Sequence, residues 1–211
     1  MTEEQSHGFD FQDLICSAFF PTANEDSGYT DKWDVPRTAK RHESVPSSLR
    51  DIPISIKFAK AGTSIGLGDA MRQRSVIEPF GMIIGEWEQR ATSKIITSIR
   101  AIRITPPQWN TIWGDIDRLY LQRLDLAMKS APSQVAARTA VEGLRDRTLE
   151  RGVTLNPKID SKSQRRIQCS INLTKVAPHL SVLVHAVNSN SKSIRFWDQT
   201  LCAEIKSAPR W

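Results

Sequence analysis

The chain has 211 residues, with 29 Lys+Arg against 23 Asp+Glu, a formal charge of +6 and an ordinary apolar fraction. This length is enough for one well-buried core. No run of about 18 apolar residues occurs, which argues against a transmembrane helix, and the polar, acidic start Met1-Thr2-Glu3-Glu4-Gln5 lacks the apolar region of a secretion signal.

In chain order, Phe9, Leu14, Ile15, Ala18 and Phe19 recur near helical spacing and predict a first helix over 8–20, stopped by Pro21. A short strand is expected around Trp33-Asp34-Val35. Residues 36–51 are polar, basic and interrupted by two prolines, so they read as an exposed loop. Ile52–Ala59 is an apolar strand with Lys57 near its end. A glycine-rich turn over Ala61–Gly68 and a helix over about 69–75 follow. The continuous apolar run Phe80–Trp87 marks a strand covered on both faces, and 92–105 alternates as a further strand. From Pro106 to Met128, Trp109, Ile112, Trp113, Ile116, Leu119, Tyr120 and Leu124 predict a long amphipathic helix whose tryptophans face the core. A second helix over 133–151 is closed by Gly152, with strands near 166–173 and 180–187.

The positive charge is uneven. From Ser133 to Trp211 there are 13 Lys+Arg and 6 Asp+Glu; taken from the totals, this leaves 16 and 17 for residues 1–132. A basic C-terminal third points to a polyanionic partner such as nucleic acid. Within it, Asn156–Ser170 interleaves Lys158, Lys162, Arg165 and Arg166 with Gln164 and Gln168. Arg and Lys read guanine, Gln reads adenine, and Lys and Ser hold phosphates. Lys40, Arg41 and Arg50 in the early loop are candidates for backbone contacts. The Gly62–Gly68 turn lacks the Gly-Lys-Ser/Thr that a nucleoside triphosphatase requires. Cys16, Cys169 and Cys202 are odd in number and widely spaced, as expected of reduced thiols in a cytoplasmic protein. His7, His42, His179 and His185 show no metal-site spacing.

Asp34, Lys57 and Asp69 are the candidate chemical residues. Two carboxylates and a lysine at neighbouring strand ends can hold Mg²⁺ and activate water against a phosphodiester. Each also has a plain structural use: Asp34 in a turn before Pro36, Lys57 at a strand end, and Asp69 as a helix N-cap. The order helix, Asp34 strand, strand ending in Ser55-Ile56-Lys57, Asp69 at a helix start and buried strand resembles the PD-(D/E)xK nuclease superfamily, the fold of many type II restriction endonucleases. The resemblance covers roughly residues 8–90. The family pattern has an acid two positions before the lysine; here it is Ser55. One branch of restriction endonucleases carries Ser-x-Lys and moves the second acid onto the following helix, near where Asp69 falls.

The resemblance implies an α/β fold, a restriction-endonuclease-like mixed β-sheet core flanked by helices with a basic C-terminal region. It implies a single nuclease domain over 1–211, with a core over about 8–130 and a helical, basic DNA-binding part over about 131–211. It further implies Asp34 and Asp69 as Mg²⁺ ligands with the Ile56 carbonyl, and Lys57 positioning or activating water beside Ser55. Gln12 or Asp13 would fill the place on the first helix where the family often carries an acid. The implied activity is Mg²⁺-dependent, sequence-specific cleavage of double-stranded DNA by a homodimer, one site per strand. Two further readings stay open: an inactive DNA-binding protein on a nuclease scaffold, and a repair or mobile-element nuclease.

Overall fold

A computed structural model describes residues 3–23, 33–91, 93–145, 151–159, 165–189 and 192–206. The chain is mixed α/β and divides into two compact units that interleave in sequence. Unit 1 comprises Met1–Thr63, Pro79–Thr105 and Leu180–Trp211; unit 2 comprises Ser64–Glu78 and Pro106–His179.

Unit 1 is a curled mixed sheet. Strand β1 (Ile54–Lys60) pairs in parallel with β3 (Phe80–Arg90), which pairs antiparallel with β4 (Ser93–Ile104). The far edge of β4 carries two strands in succession, β7 (Ser181–Val187) along Ser98–Arg103 and β10 (Glu204–Lys206) along Ser93–Ile95. A short hairpin, β8 (Ser193–Phe196) and β9 (Gln199–Cys202), completes the unit.

Helix α1 (Glu3–Phe19) lies against β1 because Phe11, Ile15, Cys16 and Phe19 form one apolar stripe. The Phe11 ring stacks on Phe58 of β1, with centroids 4.6 Å apart and an interplanar angle of 11°. Gly85, the register partner of Phe58 on β3, leaves the space the Phe11 ring occupies. Phe19 meets Phe196 and Trp197 edge-on.

Residues 36–51 depart from the exposed loop expected of them. Ala39, Val45 and Leu49 are buried, and Ser47–Arg50 is a short helix, α2. Arg41 organises the segment, donating to the carbonyls of Pro36, Arg37, Ala39 and Ile52. A polar composition hid three core residues that have no regular spacing.

Unit 2 holds a three-stranded sheet, here sheet B, in the order β2 (Ile65–Asp69), β6 (Arg165–Ile171), β5 (Val153–Ile159). The second half of the glycine-rich segment, from Ile65, is therefore strand rather than turn, with a bulge between Gly66 and Gly68. Helix α3 (Ala70–Arg74) follows β2. The long helix expected over 106–128 is two, α4 (Pro106–Trp113) and α5 (Arg118–Ser130). Gly114, at φ +54, ends the first, and Asp117 begins the second by accepting from the Tyr120 amide at 2.6 Å. Trp109 and Trp113 are buried edge to face, and the Trp109 indole donates to the Gln73 carbonyl at 3.0 Å. Helix α6 (Gln134–Leu144) stops short of Gly152, and α7 (Leu173–Val176) leads to a 3-10 turn over Ala177–His179. Among the described residues no helix is long and apolar enough to cross a membrane.

Candidate active site at the open edge of β1

Strand β1 has β3 on one side and, on the other, among the described residues, only a two-bond bridge to Val35. The Val35 amide donates to the Ile54 carbonyl and the Ile54 amide to the Val35 carbonyl, each at 2.9 Å. Pro36 favours the extended backbone of Val35 that this bridge needs. Arg41 pins the next turn by joining the Pro36 carbonyl (3.2 Å) and the Ile52 carbonyl (2.9 Å) through one nitrogen. Asp34 is thereby held beside the β1 edge.

The Asp34 carboxylate takes over the ladder where the bridge ends. Its Oδ2 accepts from the Ile56 amide at 2.6 Å, the Ser55 hydroxyl at 3.0 Å and the Lys57 ammonium at 3.1 Å. The Lys57 Nζ also donates to the Ile56 carbonyl at 3.1 Å. All of these donors fall on Oδ2, so among the described residues Oδ1 carries none. Lys57 and Asp34 side chains are 22% and 25% exposed, within reach of a solute yet partly desolvated, where a charge-assisted bond is stronger than in bulk water.

Asp34, Ser55, Ile56 and Lys57 thus come together in unit 1. Asp69 lies in unit 2, where it is the N-cap of α3: its Oδ1 accepts from the Arg72 amide at 2.8 Å. Asp69→Ala is expected to lower stability by about 1 kcal/mol, while Asp69→Asn, also a good cap, costs little. Denaturant midpoints of the two variants check this; equal midpoints would remove the cap assignment.

On α1, Gln12 is half-buried and Asp13 exposed. Burial, with the charges of Asp34 and then Asp13, pushes the Cys16 thiol up to about 12, so this thiol stays protonated and α1 lies within electrostatic reach of Asp34.

A second polar group, missed in the sequence, occupies the same sheet face as Lys57. In register across the strands run Lys57, Ile84, Arg100 and His185, with Glu86 and Ser98 paired one step along. Glu86 accepts from the Ser98 hydroxyl at 2.7 Å and forms an ion pair with Arg100. Burial raises the Glu86 carboxyl, but Ser98, Arg100 and the Gly62 amide outweigh it and hold it below the ordinary carboxylate value of 4.5. Burial, then the Arg100 charge, lowers His185, with Glu86 opposing. Because the folded value of Glu86 lies below the unfolded one, its contribution is complete above 4.5 and lost as pH falls through the folded value. Glu86→Gln is therefore expected to cost stability at neutral pH and progressively less in acid; a pH-independent difference in denaturant midpoint would contradict this.

The residues expected to touch DNA divide between the two units. Lys40 is exposed, and its amide donates to the Thr22 hydroxyl at 2.9 Å. The Arg41 guanidinium is engaged by the four carbonyls named above. Arg165 places one guanidinium nitrogen on the Met128 carbonyl at 3.1 Å and also reaches Lys129 and Ala131, closing the C-terminal end of α5. Lys158 and Arg166 are directly opposite on β5 and β6, with Gln168 one pair along, and Lys162 and Gln164 lie outside the described residues.

No protein-family model, curated protein or solved structure matches the chain.

The donor set suits a hard cation only in part. Mg²⁺ takes oxygen ligands, commonly one or two carboxylates with substrate phosphate and several waters. The β1 edge offers Asp34 Oδ1 and the Ile56 carbonyl. Among the described residues no three His, Cys, Asp or Glu side chains gather around one point. The edge fits an ion that completes its shell with substrate and water, not a closed protein cage.

Proposed function

We propose that the Asp34–Lys57 edge is the centre of a Mg²⁺-dependent endonuclease that hydrolyses phosphodiester bonds in double-stranded DNA, on a restriction-endonuclease-like fold. The observation that carries this reading is the convergence of the Ile56 amide, Ser55 hydroxyl and Lys57 ammonium on one oxygen of Asp34. This fixes the carboxylate and leaves Oδ1 without a donor among the described residues. The basic balance of residues 133–211 supports a polyanionic substrate.

Asp34 Oδ1 and the Ile56 carbonyl would hold the ion. When bound, Mg²⁺ neutralises phosphate charge and makes a coordinated water more acidic. Lys57 sits between Asp34 and the Ile56 carbonyl, so its ammonium orients a water by hydrogen bonding or stabilises charge gathering on the phosphate. Ser55 is neutral and fixes the carboxylate orientation without adding charge. Two copies, one for each strand, suit cleavage of a duplex.

Ser55 in the place of an acid favours a second reading, a DNA-binding protein that has lost catalysis. Supercoiled plasmid incubated with Mg²⁺ or with EDTA separates the two. Nicked or linear product only with Mg²⁺ supports the nuclease; duplex binding without cleavage in any divalent metal supports the binding protein.

A further inference from the structure

We infer that the polar face of sheet B is a docking face for double-stranded DNA, set into the major groove with Asn156, Lys158, Arg166 and Gln168 toward the base edges. The inference rests on the DNA reading for the choice of polyanion, but it requires no catalysis.

The register of β5 and β6 sorts the residues cleanly. Lys158 faces Arg166, Asn156 faces Gln168 and Thr154 faces Ser170; directly opposed residues share one face of a sheet. The alternate pairs, Val153 with Ile171 and Leu155 with Cys169, are buried on the other face. Two cations directly opposite each other repel, a destabilising arrangement in an isolated sheet. Among the described residues neither cation is paired with a carboxylate. An anion laid across the pair turns this repulsion into attraction.

Gly66 adds an open position to this face. It lies opposite Ser170 on β2, so it continues the same face. A Cβ there would meet nothing within 4 Å, and its φ is not in the left-handed region. It stands at the bulge of β2, a place where glycine is common, and a side chain there would enter open space. Asp69, opposite Gln168, is the one acid on the face among the described residues and caps α3.

Duplex DNA is the occupant that fits. A major groove roughly 12 Å wide admits a two-stranded β-ribbon, and the four residues all stand on the β5–β6 pair; Arg and Lys suit guanine while Asn and Gln suit adenine. Single-stranded nucleic acid is instead held by aromatic stacking, and the face's side chains at these register positions are all non-aromatic.

The test measures binding of the full chain to a randomised duplex pool, and to single strands, in Ca²⁺ across a salt series, with thermal midpoints alongside. Arg166→Ala is expected to lose roughly tenfold in duplex affinity. Lys158→Ala should flatten the salt dependence by about one unit of slope. Gly66→Val, which adds a side chain to the open face, weakens duplex binding by roughly tenfold, its thermal midpoint showing that it folds. Wild-type affinity in all three folded variants, or preference for single strands, overturns the inference; a variant that loses its midpoint is replaced by Arg166→Gln, held to the same tenfold loss. Binding through this face without cleavage would sink the nuclease reading alone, whereas a wild-type chain that binds no duplex sinks both.

Discussion

Replacing Lys57 with methionine is expected to remove DNA cleavage while leaving duplex binding in Ca²⁺ near wild type. Methionine keeps most of the side-chain volume and deletes the ammonium. With it go the hydrogen bonds to Asp34 Oδ2 and to the Ile56 carbonyl, both at 3.1 Å. A positioned cation or proton donor of this kind is worth about 10²–10⁴ in rate. The fold should tolerate the change, because the side chain is 22% exposed and the Ile56 amide and Ser55 still hold Asp34. Single-turnover rates on plasmid, with thermal midpoints as the control for folding, make the comparison. A variant cutting at the wild-type rate would reduce Lys57 to a strand-end ion pair.

Gly85→Ala is expected to be the most disruptive small substitution in unit 1, costing about 2 kcal/mol or more. A Cβ at this position would stand 2.6 Å from Phe11 Cε2 and 2.9 Å from Cε1. The ring has nowhere to go, because it is fully buried and stacked on Phe58. Relief requires α1 to lift from the sheet or β1 to shift, and β1 carries Lys57 one residue before Phe58. The substitution should therefore lower the denaturant midpoint and impair cleavage together. An unchanged midpoint would show that the Phe11–Phe58 stack is looser than its geometry.

The elements nearest the candidate site are legible in the sequence because local chemistry and tertiary packing agree there. Ile15 and Phe19 are helical by spacing, although the stripe expected with Phe9 runs instead through Phe11, which is buried while Phe9 is exposed, and Ile54-Ser55-Ile56-Lys57 is a strand by composition. Asp34 beside Lys57 follows once the short strand before Pro36 is laid along that edge. What depends on register is not legible. Glu86 and Arg100 meet only because β3 and β4 form a hairpin with Ile84 opposite Arg100, and no spacing rule singles out that pair. Arg165 reads in sequence as a free cation in a basic run, yet its guanidinium closes α5, whose end is remote in sequence. The break at Gly114 was obscured by an apolar period running through it; the Asp117 cap was the signal against a single helix. Strands β5 and β8–β10 are short or interrupted, Pro157 lying within β5, and they form because a partner strand supplies their hydrogen bonds.

The Asp34–Lys57 centre stands most directly on the Mg²⁺ dependence of cleavage by wild type and by Asp34→Asn, measured under single turnover on one end-labelled duplex. Asparagine keeps an oxygen to accept from the Ile56 amide but loses the charge offered to the ion. The wild-type rate is expected to rise and saturate with Mg²⁺, with no Mg²⁺-dependent rate in the variant above the level with EDTA. Cleavage by Asp34→Asn with the same rate and the same Mg²⁺ dependence would contradict a metal site at Asp34.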